Sequence, residues 1–280
     1  MSPARVGELF ERACLAELDA LKPGNVHRFA EGHGLRVADF EASARAAAPA
    51  IARPGAPLGR RILDAVEATR GVVGTNTNLG ILLLCTPLAM AAERAEPLRE
   101  AVRSVLARTD LEDARKVYAA IRLARPGGLG RVEEADVAEE PSSALLEAMR
   151  LAEERDRIAW NWTHGLTDLF ETGVPLLDAL EARGWSEAWA LSGLHLHLLA
   201  RIPDSHVARK FGRTTAETLA AEAAPLARRL LAAERPDTLR DELLAFDAAL
   251  KVRGINPGTT ADLVVASFFA RLLSQVRASP

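Results

Sequence analysis

The chain has 280 residues, 49% of them hydrophobic and 26% charged, with a formal charge of −3 at pH 7. That apolar share is enough to fill a sizeable core. The charge balance leaves no broad basic face of the kind a nucleic-acid or membrane-surface protein needs, so neither partner is expected. The chain opens on "MSPARVGELFERA", which is charged and periodic and has no signal-peptide apolar core. Val6, Leu9, Phe10, Ala13 and Cys14 recur at helical spacing until "LKPGN" at 21–25 stops the first helix. Further stops follow at "ARPGAP" (52–57), "RGVVGTNTN" (70–78), "ARPGGLGR" (124–131) and "EARGWS" (181–186). The last three are "RIPDS" (201–205), "RKFGRTT" (209–215) and "RGINPGTT" (253–260). No alternating Val/Ile/Thr run reads as a strand, which predicts a single all-α domain of ten or more helices. The acidic stretch "EEADVAEEPSS" (133–143) is too short to divide it. The longest apolar run, "ILLLCTPLAMAA", cannot cross a bilayer, and Cys14 and Cys85 lack metal spacing. A cytoplasmic location is expected.

Four of the loops carry more polar cargo than a helix stop requires: "KPGNVHR" (22–28), "GTNTNLG" (74–80), "PDSHVARKFG" (203–212) and "NPGTTADL" (256–263). Each sets polar or charged side chains beside glycine or proline at a helix boundary, an arrangement that suits an anion such as phosphate. The competing reading is capping: Thr259 with Asp262, Thr214 with Glu217, and Thr75 or Thr77 before Gly80. His164, His195 and His197 read as structural. His27 and His33 share a loop with no further ligand at zinc spacing.

In this order the four loops resemble those of the triphosphoribosyl-dephospho-coenzyme A synthase family. Its members read PKPGLVD, NTHKG, DT-x-x-x-R-x-G and PGG-x-ADLL where this chain has "LKPGNVH", "NTNLG", "DSHVARKFG" and "NPGTTADLV". "PGGLGRVEEADV" (126–137) and "RDRIAWNW" (155–162) are similar to the form found in methanogens and methylotrophs. The departures are His27 in place of Asp, and Asn78 and Leu79 in place of the His-Lys of NTHKG.

The resemblance implies an enzyme that attacks C1 of the ATP ribose with the 2′-hydroxyl of 3′-dephospho-CoA, releasing adenine. Such chemistry needs cations and magnesium at the triphosphate, a carboxylate near the oxocarbenium-like sugar and a base for the hydroxyl. On this footing Lys22, Asn25, Arg28, Arg209 and Lys210 are expected at phosphates, and Asn76, Thr77 and Asn78 at phosphate or ribose. Glu17, Asp204 and Asp262 are expected to hold Mg2+ or face the sugar, with Asp204 also close to the chemistry. His27 or His206 is the expected proton carrier. The loops should converge on one cleft, and replacing Lys22 should weaken nucleotide binding while sparing the fold. Two other readings are a nucleotide- or phosphopentose-dependent transferase serving a tetrahydromethanopterin-type coenzyme, and a noncatalytic nucleotide-binding protein. A homodimer is plausible at this size.

Overall fold

The computed structural model describes residues 1–126 and 137–278. Of "PGGLGRVEEADV", only Pro126 and Val137 lie among them. The described residues form fourteen α-helices: α1 (Pro3–Asp19), α2 (Val37–Ile51), α3 (Leu58–Val73), α4 (Leu79–Ala92), α5 (Leu98–Ala107), α6 (Leu111–Ala124), α7 (Leu145–Ala152), α8 (Arg157–Thr163), α9 (Val174–Ala182), α10 (Glu187–Arg201), α11 (Ser205–Phe211), α12 (Arg213–Ala232), α13 (Arg240–Val252) and α14 (Gly258–Ala278). A π-helical turn, Asp168–Gly173, leads into α9, and a 3-10 turn, Pro236–Leu239, into α13. The expected all-α architecture holds, and no strand forms among the described residues.

Local chemistry explains the boundaries. Ser2 caps α1 through Arg5 N, with proline in the first turn; Asp110, Asp156 and Ser186 cap α6, α8 and α10. One face of α1 buries Val6, Leu9, Phe10 and Ala13 against α2 and α14. The helix α4 is apolar all round because it is enclosed by α3, α5 and α14. In α14 the buried set runs through Leu263, Val264, Val265, Phe268 and Phe269, and this helix touches α1, α4, α9, α10 and α11. One contiguous apolar core results, with α14 through its middle. Among the described residues no helix is long and apolar enough to cross a membrane.

The capping assignments shift. Gly212, not Thr214, precedes α12, and no side chain caps it. Thr259 Oγ1 accepts the His206 N–H at 3.2 Å instead of closing its own helix. Before α4 the acceptor for Leu79 N is Asn76 Oδ1 at 3.1 Å, while Thr77 Oγ1 meets Ser43 Oγ at 2.5 Å.

Candidate active site

The segment 256–262, which leads into α14, is where the four loops meet. Asn256 Oδ1 accepts from Asn25 Nδ2 of the first loop at 2.8 Å. Asp204, in the third loop, caps α11 through Val207 N at 3.0 Å with one oxygen. Its other oxygen accepts from Thr260 N at 2.7 Å and Thr260 Oγ1 at 2.8 Å, fastening α11 to α14. The second loop arrives through Gly80, where a Cβ would sit 2.0 Å from Asp262 Oδ2; only glycine lets the start of α4 come this close. Gly258 does the same for the third loop, because a Cβ there would lie 2.4 Å from His206 Nδ1.

Several expected site residues turn inward. Lys22 has no exposed atom; its ammonium pairs with Glu17 and donates to Asn25 Oδ1 at 3.3 Å. Burial pushes the Glu17 carboxyl up and the Lys22 ammonium down, and each charge opposes the other's shift. Lys22 is therefore an interior ion pair rather than a free phosphate ligand. His27 is also fully enclosed, with Nε2 3.4 Å from Asp247 Oδ1, and burial lowers its pKa. It has no open face from which to carry a substrate proton. Asp247 is itself engaged by Gly24 N at 2.8 Å and Lys251 Nζ at 2.9 Å. Asn78 is buried with Nδ2 on Thr69 Oγ1 at 3.0 Å, and Leu79 is buried beside it, so these departures from the family pattern face the interior. Arg28, on the surface, joins Asp19 and Glu41.

The groups that keep an open face are His206, Arg209, Lys210, Asp262 and, on the second loop, Asn76 and Thr77. The His206 pKa is lowered, first by burial and then by Arg209, Lys210 and His33, against the pull of Asp204; its imidazole is neutral at physiological pH. Arg209 meets Asp156 Oδ2 at 2.5 Å, and its Nε is buried without a hydrogen-bond partner. Asp262 is half-buried, and its pKa is raised well above the usual carboxylate range, first by burial and then by the Asp204 and Glu17 charges. Of the expected metal set, Glu17 and Asp204 lie near enough for their charges to act on Asp262, but Glu17 is held by Lys22 and the Asp204 oxygens by Val207 and Thr260. Among the described residues no three His, Cys, Asp or Glu side chains are placed to hold a metal ion.

Sequence reasoning did not assign the support around Arg209. Arg157 pairs with both Asp168 oxygens at 2.7 Å, stacks over Trp160 at 3.6 Å, and binds Ser205 Oγ through its backbone N at 2.7 Å. Asn161 Nδ2 adds a third bond to Asp168 at 2.8 Å. "RDRIAWNW" thus braces the third loop. His195, read as structural, is buried beside Lys22 and His27 with its pKa down to about 3, chiefly through burial. Its contact with this cluster was hidden because α10 enters from a distant part of the chain.

Residues 3–280 match the profile of the ATP:dephospho-CoA triphosphoribosyl transferase family. The chain belongs to this family. It is also similar to a crystal structure from Archaeoglobus fulgidus, described by inference as a triphosphoribosyl-dephospho-CoA synthase. The two share 30% identity and a TM-score of 0.65, over 83% of this chain and 98% of that one. Comparison with curated proteins gives no significant match. The transferase family makes ATP and dephospho-CoA the expected small-molecule substrates.

Proposed function

We propose that the chain transfers the 5-triphosphoribosyl group of ATP to the 2′-hydroxyl of 3′-dephospho-CoA, releasing adenine, at the junction around residues 256–262. The observation that carries this is the meeting of all four family loops on that single segment. In the reaction the acceptor oxygen bonds to C1 of the ribose as the C1–N9 bond breaks, and adenine leaves with the bonding pair, its nitrogen taking up a proton from water. His206, neutral and half-open, accepts the acceptor's hydroxyl proton. Arg209 and Lys210 meet the triphosphate, with Arg209 aimed by Asp156. Asn76 and Thr77 lie at the rim for ribose or phosphate hydroxyls and oxygens. Asp262 faces the cationic sugar, where an electropositive ribose favours its ionised form.

Magnesium would enter with ATP, since this ion uses few protein carboxylates and prefers phosphate and water ligands. Asp262 is the only one of the three expected carboxylates left free to meet it. A cytoplasmic, homodimeric enzyme remains part of the reading. The inward-facing Asn78 and Leu79 leave little reason to invoke a different coenzyme pathway. Incubation with ATP, magnesium and dephospho-CoA should give adenine, followed by chromatography, in proportion to the acceptor. Adenine release that ignores the acceptor, or none at all, overturns the assignment.

A further inference from the structure

A pocket of about 180 Å³ lies against the first loop, and Asp19, Leu21, Phe29, Trp189, Ser192 and Arg240 line it. None of these residues belongs to the other three motif loops. The wall is fixed, because Leu21 N donates to Ser192 Oγ at 2.8 Å and so ties the end of α1 to α10. Phe29 leaves 48% of its surface in water, an unusual position for a large apolar ring. The Arg240 guanidinium sits 5.3 Å from the Phe29 ring centre and 5.8 Å from that of Trp189. Among the described residues no carboxylate lies within ion-pair distance of it. Asp19 supplies the opposite charge; one of its oxygens takes the Arg28 guanidinium, and the other is left to accept.

Two aromatic rings, an unneutralised arginine and a carboxylate oxygen converge on a space smaller than the ~300–1,000 Å³ of sites that enclose a drug-sized ligand. A lipid tail or apolar peptide would bury the Arg240 guanidinium without a carboxylate partner, which is costly. A bare anion would leave the rings unused. We propose that this pocket is a second nucleotide site for an aminopurine mononucleotide. The purine lies against Phe29 and Trp189, its exocyclic amine donates to Asp19, and the phosphate reaches Arg240 at the mouth.

The test is calorimetric titration of AMP, GMP and inorganic phosphate into the full chain and into Arg240→Gln and Trp189→Leu. Arg240 is exposed, so its replacement should fold as the parent does. The expected result is saturable binding of AMP or GMP, weakened at least tenfold in both variants and unchanged in Lys116→Gln, on α6 away from both sites. Parent-like affinity in Arg240→Gln and Trp189→Leu, no nucleotide binding at millimolar concentration, or phosphate binding as tight as AMP would overturn it. Affinity is the readout, so failure here leaves the transferase assignment intact, and failure of the adenine-release assay leaves this one intact.

Discussion

Lys22 shows how far a side chain's role depends on where its neighbours put it. Alone in sequence it is a cation beside Pro-Gly; in the fold it is enclosed against Glu17. Lys22→Met therefore strands a buried carboxylate, and denaturant unfolding should show a loss of about 3–5 kcal/mol. The Glu17→Met/Lys22→Met double variant should recover most of that loss, whereas a role confined to ligand binding predicts no loss in either. Arg28→Met, at the surface, should cost no more than about 1 kcal/mol. His206→Gln should keep its melting temperature and lose roughly 10²- to 10⁴-fold in turnover, the usual range for a general base. Because the His206 pKa is lowered, the acid limb of the parent's kcat/KM profile should fall below pH 6.5 and vanish in the variant.

At the level of elements, short helices are held by single side chains that serve two partners. Asp204 both caps α11 and bonds Thr260 at the start of α14. Asp204→Ala removes a cap and a charge-assisted contact, worth about 2–4 kcal/mol together, and hydrogen exchange should quicken across 203–212 before it does elsewhere. Uniform exchange over all helices would mean that Asp204 does not hold this joint. The helices themselves were legible because Pro-Gly punctuation and three- to four-residue spacing are local signals: "RIPDS" and "RKFGRTT" fall at the ends of α10 and α11. The motif loops were legible too, as an ordered set of polar residues at helix boundaries. What each side chain does was less so. Thr259 and Thr214 have the spacing of caps, yet the N–H that Thr259 binds comes from His206, 53 positions away. His27 and His195 are separated by most of the chain, so nothing local marks them as neighbours in the interior.

Across the whole molecule, those buried histidines tie stability to pH. His195 is neutral when folded, with a pKa of about 3 against about 6.5 unfolded, so the unfolded chain binds the extra proton between these values. Its contribution is fully present above pH 6.5 and is lost by about 1.4 kcal/mol for each pH unit below that, down to pH 3. Glu17 and Asp262, whose pKa values are raised, act in the opposite sense. The histidine share is therefore read as the difference in slope between the parent and His195→Gln, and equal slopes would exclude it. ATP with magnesium should raise the melting temperature by mass action, and an unmoved melting curve at millimolar ligand would count against the site. The convergence of three loops on residues 256–262 also has a meaning in time. A ribosome delivers the first three loops well before the segment that joins them, and the core helix α14 comes later still. A nascent chain stalled at residue 255 would carry nearly every group assigned to catalysis and have nothing to arrange them around. Activity should then appear abruptly, as α14 clears the exit tunnel and seats Phe268 and Phe269, rather than accumulating with length.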